Sequence, residues 1–233
     1  MSASKTGDHF ILSGTKLLVM DAPAADAFIV LARTSGTQGD DEGLSAFLLQ
    51  AETGGLTVEP GKMVDSRAYG TLTLTDVKVA EDQLLGDIGQ ASKGLGHALD
   101  IINIGLAAEL LGLSAEAFER TAEYLKERKQ FGRVIGSFQG LAHRAAELFA
   151  ELELARSIVL QALQKIDEGE PDLALYASAA KAKLCEVAQR ATNEAIQMHG
   201  GIGMTDEYEI GFFIKRARVV QHLFGDYNYH LDR

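Results

Sequence analysis

The chain has 233 residues, of which 46% are hydrophobic and 24% charged, ordinary values for a globular protein of one large domain or two small ones. A formal net charge of −11 argues against nucleic acid as a partner, which would want a basic face, and leaves small anionic ligands open. One cysteine, Cys185, excludes an internal disulfide and fits a reducing cytoplasm. Neither CxxC nor HExxH occurs and the six histidines are scattered, so no metal site is expected. No apolar run of about eighteen residues predicts a membrane span. The start, "MSASKTGDHF", is too polar for a signal peptide.

Residues 8–90 read as β structure. "HFILSGTKLLVM", "AFIVLART", "LSAFLLQ", "LTVEPG" and "TLTLTDVKVA" are short runs rich in β-branched and apolar residues, separated by turn clusters such as "SGTQGDDEG" and "AETGG". "GTLTLTDVKV" alternates almost strictly, as a half-buried strand should. From Gly94 the period changes. Helices are predicted from Leu95 to about Glu127, from about Phe138 to Asp167, from Asp172 to about Met198, and from about Glu207 to His222. Leu141, Ala145, Leu148, Leu152, Ala155 and Val159 share one face of the second. The expected fold class is α+β in two domains: a small antiparallel barrel or sandwich over residues 1–90, then a four-helix up-down bundle over 91–233.

Two stretches carry candidate chemistry. "EAIQMHGGIGMTDEYE" places Gly200, Gly201 and Gly203 after a helix. A dinucleotide fingerprint follows a strand, so that reading fails. A Schellman cap accounts for one glycine in the left-handed conformation. A second beside it strips side chains from the backbone and lets another molecule approach. "ERKQFGRVIGSFQG" clusters Arg128, Lys129 and Arg133 in an otherwise acidic chain. Cations favour a helix C-terminus. Arginine forks beside Phe131 also make a platform for a diphosphate and a flat ring.

Together, "ERKQFGRVIGSFQGLAHRAAELFAELELAR" and "ATNEAIQMHGGIGMTDEYEIGFFIKRARV" resemble the C-terminal half of the acyl-CoA dehydrogenases, and "GDHFILSGTKLLVMDAPAADAFIVLA" resembles their middle β-domain. The resemblance implies FAD as cofactor and oxidation of acyl-CoA thioesters to 2,3-enoyl-CoA. It implies that Arg128, Phe131, Gln139, Gln197, Gly200 and Gly201 contact the FAD of a neighbouring subunit. It implies acyl-CoA contacts at Asp100, Asn103 and Gly225, with an electron-transfer flavoprotein as acceptor. The family's N-terminal helical domain is not represented in the resemblance.

The pattern departs from the family at two sites. The flavin-facing strand, typically Trp-Ile-Thr, reads Leu18, Val19, Met20. The usual Tyr-Glu-Gly-Thr reads Leu223, Phe224, Gly225, Asp226. Phe224 cannot abstract a proton, and neither can Asn103 at the alternate base position, which leaves Asp226 as the candidate base or a turn residue. The expected roles are therefore a subunit that completes the flavin site of a homo-oligomer or of a paralogous partner, a truncated conventional dehydrogenase, or a non-catalytic assembly subunit that binds no flavin by itself. A bundle face left without the N-terminal domain is expected to expose apolar surface.

Overall fold

In the computed structural model, which describes residues 1–233, the unit Met1–Gly96 is built on one sheet. Its strands are β1 (Ser2–Thr6), β2 (His9–Met20), β3 (Ala27–Arg33), β4 (Leu44–Gln50), β5 (Leu56–Lys62), β6 (Ala68–Ala80) and β7 (Leu84–Leu85). The spatial order is β5-β6-β2-β1-β3-β4-β7. Alternation buries Phe10 and Leu12 of β2, Phe28, Val30 and Ala32 of β3, and Phe47 and Leu49 of β4 in a shared core.

On β6 the buried frame runs Leu72, Leu74 and then shifts to Val77, Val79. The shift falls where Asp76 takes a positive φ of 49° and the pairing with β2 slips between Leu12 and Gly14. A bulge of this kind keeps one face apolar on both sides of a bend. Ser13 holds it: its hydroxyl donates to Asp76 Oδ1 at 2.9 Å and accepts from the Asp76 amide at 3.1 Å.

The α+β class holds and the strand pairs are otherwise antiparallel, with two local differences from expectation. The strands form a single mixed sheet, because β1 pairs parallel with β3. β1 itself was not expected, since "SASKT" has no apolar alternation and only Ala3 is buried. Its backbone pairs with the whole first half of β2, and that pairing supplies what its side chains lack.

The remaining helices are α1 (Ala91–Glu127), α2 (Gln139–Asp167), α3 (Leu173–His199), α4 (Ile210–His222) and α5 (Tyr227–Asp232). A two-stranded hairpin, β8 (Lys129–Gln130) and β9 (Arg133–Val134), separates α1 from α2. In the unit His97–Arg233, α1 to α4 share one apolar core. α2 contributes Leu148, Leu152, Ala155, Val159 and Ala162, close to the predicted face; Leu141 and Ala145 are only half-buried. α3 is buried on most sides, with Ala177, Ala180, Leu184, Val187, Ala188 and Ala191 inside. Its alanines let α2, α4 and α5 approach the same rod.

α1 is long and apolar enough to cross a bilayer by length and composition. Its Ile104, Ala107 and Leu110 are fully buried in the bundle core, the role of a core helix. α5 was not expected; "YNYHLD" is short and aromatic, and its cap, Asp226, is its clearest signal. The expected fourth helix begins at Ile210 rather than Glu207.

Because Leu184 is fully buried among α-helices, Leu184→Ala is expected to destabilise the chain by roughly 2–5 kcal/mol. The check is the midpoint of urea unfolding followed by circular dichroism.

Candidate functional site

The first cluster lies where α1 ends. The α1 chain closes with the Arg128 amide donating to the Tyr124 carbonyl at 2.9 Å, and the Ile135 amide returns to the Arg128 carbonyl at 2.8 Å. Between them the hairpin turns through Phe131 and Gly132, with φ of 53° and 79°. Two positive-φ residues make the two-residue hairpin turn that suits strand twist, but the first is normally Asn, Asp or Gly. A phenylalanine there costs roughly 1–2 kcal/mol of backbone strain. Phe131 is nevertheless 92% exposed at the hairpin tip. Phe138 meets it edge-on at 6.2 Å and carries Arg133 over its own face at 4.0 Å. Arg128 and Gln139 are exposed; the local ion pair runs between Lys126 and Glu123.

The second cluster is the glycine turn at the end of α3. Gly200 takes φ 66° and ψ −140°, so it is not the left-handed cap expected from sequence. That backbone region is essentially open to glycine alone. It diverts the chain into a 3-10 turn, Gly200–Met204. Gly203 is required by packing, because a Cβ there would meet the Ile196 carbonyl at 2.7 Å. Gly201 is different. Its φ lies outside the left-handed region, and a Cβ would meet nothing within 4 Å. Nothing within the chain demands a glycine at 201.

The two clusters sit at one end of the bundle. The Tyr124 ring stacks on His199 at 4.3 Å, and His199 packs against Tyr208 at 4.8 Å. The Tyr124 hydroxyl reaches the His199 carbonyl at 3.4 Å. Arg144 of α2 pairs with Glu194 of α3 at 2.5 Å. Burial pushes the His199 pKa down, and its Nδ1 lies 2.7 Å from the Ala195 carbonyl, so a neutral ring donates there. Arg128, Phe131 and Gln139 thus share an end with Gln197, Gly200 and Gly201, all exposed. That end therefore exposes a strained aromatic, an arginine and a glycine at which a Cβ would meet nothing.

The third cluster surrounds Leu223–Asp226. α4 ends at His222 with Leu223 as its cap, and Phe224 and Gly225 follow with φ of 54° and 111°. Lys181 of α3, fully buried, donates to the Leu223 carbonyl at 2.7 Å, the Gly225 carbonyl at 3.2 Å and Asn103 Oδ1 at 3.4 Å. Asn103 donates to the Phe224 carbonyl at 3.4 Å and to the Leu99 carbonyl at 3.0 Å. Burial pushes the Lys181 pKa down, with Cys185 and Asp226 acting in the other direction. Asp226 caps α5 by accepting from the Tyr229 amide at 3.0 Å.

Asp100 is buried and paired with Arg233 at 2.6 Å. Gly225 is fixed by space: a Cβ there would meet the Tyr229 ring and His230 Nε2 at 2.3 and 2.8 Å. The three expected acyl-CoA contacts, Asp100, Asn103 and Gly225, are brought together. Each is already engaged within the chain. Phe224 is about half exposed and carries no proton acceptor. Lys181, His230 and Arg233 were not singled out from sequence. A lysine at an otherwise apolar helix position, in "ASAAKAKLC", was the available signal.

In the N-terminal unit, Leu18 lies at a slip in the β2–β6 pairing, with φ 53° and 61% exposure. Leu17 beside it is also exposed. Neither Leu18 nor Met20 offers the ring or hydroxyl contact that the family pattern implies there.

Two predictions follow from this geometry. Gly200→Ala is expected to cost roughly 1–3 kcal/mol because its dihedrals exclude a Cβ, whereas Gly201→Ala should change stability by less than about 0.5 kcal/mol; paired urea titrations check both. Burial, reinforced by the Lys181 and Arg233 charges, pushes the His230 pKa down to about 4 from 6.5. The unfolded chain therefore binds the extra proton between these values. The contribution of neutral His230 should be full above pH 6.5 and lost as pH falls toward 4. Subtracting the stability profile of His230→Asn from that of the parent should isolate this acid limb, and parallel profiles would contradict it.

The sequence matches the acyl-CoA dehydrogenase C-terminal domain over residues 95–233 and the acyl-CoA dehydrogenase middle domain over residues 1–77. It is 35% identical to the short/branched chain specific acyl-CoA dehydrogenase of Bos taurus, covering 93% of this chain and 50% of that protein. The fold superposes on butyryl-CoA dehydrogenase of Megasphaera elsdenii with a TM-score of 0.94 at 33% identity, over 99% of this chain and 61% of that one. It also superposes on the ChsE4–ChsE5 complex of Mycobacterium tuberculosis with a TM-score of 0.88 at 27% identity, over 100% of this chain and 60% of the matched one. The chain spans about half to three-fifths of the length of these proteins. By its two matched domains and its fold, the chain belongs to the acyl-CoA dehydrogenase family.

Proposed function

We propose that this chain is a subunit of an FAD-dependent acyl-CoA dehydrogenase, and that the α1–α3 end of its bundle completes the flavin site of a neighbouring subunit. The carrying observation is the pairing of Phe131, strained and exposed, with Gly201, whose missing side chain answers to nothing in its own protomer. Arg128 would hold the diphosphate, Phe131 would lie against the adenosine end, and Gln139 and Gln197 would supply amide contacts. Gly200 and Gly201 would let the backbone come close. The bound cofactor supplies the hydride acceptor for α,β-dehydrogenation of an acyl-CoA thioester. An electron-transfer flavoprotein is the expected onward acceptor.

The α-proton needs a base, and Phe224 is not one. Asp226 is exposed, but one of its oxygens is engaged in capping α5. A carboxylate on a paralogous subunit is the simpler source. A complex of two differently named chains, ChsE4 and ChsE5, is among the similar structures, so a paralogous partner stands beside a homo-oligomer. Exposed Phe149, Leu154, Leu160 and Phe212 on the bundle fit a chain that is covered in its assembly. The buried free thiol of Cys185 fits a cytoplasmic setting.

Arg128→Ala should leave the fold intact and weaken FAD retention by about 10- to 100-fold, the effect of losing a charge-assisted hydrogen bond worth roughly 1.5–3 kcal/mol. Flavin released per protomer, measured with the solution mass of the assembly, reads this directly. Unchanged flavin content would remove Arg128 from the site. Absence of flavin in every assembly, including one with a base-bearing paralogue, would leave an assembly subunit that binds none.

A further inference from the structure

We propose that Lys181 is the positioning residue of the Leu223–Asp226 loop: a buried ammonium on α3 that fixes the backbone from which residue 224 is presented. Naming this loop as the one that carries the base in related enzymes rests on the family reading. The clamp itself rests on the contacts.

An ammonium has three donors, and Lys181 has three oxygen acceptors: the carbonyls of Leu223 and Gly225, and Asn103 Oδ1. No donor is left over. The carbonyl between them, that of Phe224, receives the Asn103 amide. Three consecutive carbonyls of one loop are therefore turned inward onto two side chains from two different helices. The loop follows the C-terminus of α4, where unpaired carbonyls and the helix dipole favour a cation. Here that cation comes from another helix and is sealed from water, with Lys181 fully buried.

The backbone needs such a clamp. The residue after the Leu223 cap of α4 takes a positive φ that favours glycine, yet it is Phe224. With its three carbonyls held inside, the Phe224 side chain is left about half exposed. Gly225 then passes so close to Tyr229 and His230 that any side chain would clash. The loop is held from inside by Lys181 and Asn103 and from below by α5. Nothing in this arrangement depends on the identity of the side chain at 224. The presentation geometry is kept in a chain that lacks the base.

The chain contains no tryptophan, so Phe224→Trp places a single fluorescent reporter on the loop of this 233-residue chain. In that background, Lys181→Met is expected to lower the anisotropy of the reporter and raise its quenching by acrylamide. Lys183→Met, on the same helix but paired outward with Glu151 and Glu186, should move neither. A folded Lys181→Met protein whose reporter is as immobile as the parent's would overturn the proposal, as would an equal response to Lys183→Met. If Lys181→Met does not fold, Asn103→Ala removes one acceptor of the clamp and the donor to Phe224. It should loosen the reporter by a smaller amount, and an unmoved signal there also overturns the clamp. The readout needs no flavin, so loss or retention of FAD in the Arg128 variant leaves this test independent.

Discussion

One buried charge constrains this bundle more than any other group. Lys181 sits on α3, the helix buried on most of its surface, at a position with no access to water. An ammonium in that setting is tolerated only with all its donors answered. The available oxygens are backbone carbonyls at the end of α4 and one side-chain amide on α1. Satisfying the lysine therefore ties the turn after α4 to α3 and to Asn103 of α1.

The rest of that end follows from the same turn. Once Phe224 and Gly225 take positive φ, the chain is aimed so that Asp226 caps α5 and His230 packs on Gly225. α5 in turn brings Arg233 to Asp100. Burial, and then the charges of Lys181 and Arg233, push the His230 pKa down. Most of these polar groups find partners in the same chain; His230 Nε2 is the exception, buried without a hydrogen-bond partner.

The opposite character appears where α1 and α3 finish near Tyr124 and His199. There the aromatic stack supplies rigidity, and the polar groups are left facing outward. Strain at Phe131 and an unexplained glycine at 201 are features that a free protomer would not need. The bundle thus has one end whose polar groups turn mostly inward and one whose arginine and amide side chains face outward.

Much of this was legible in the sequence. The change of period near Gly94 separated strands from helices, because period-2 and period-3.6 burial leave different residue patterns. The α2 face and the glycine-rich end of α3 were readable for the same reason, and the basic stretch after α1 marked the outward-facing cluster. β1 was not readable, since its place in the sheet comes from backbone pairing and not from apolar side chains. α5 was too short to show a period. The closing of Asp100, Asn103 and Gly225 could not be read either: it depends on Lys181, Arg233 and His230, which lie far away in sequence and meet them only after the helices pack. Local pattern determined the long strands and the four long helices, because their side chains repeat with a period. Tertiary structure alone decided which polar groups were left free, because a hydrogen bond across helices leaves no trace in the spacing of the residues that make it.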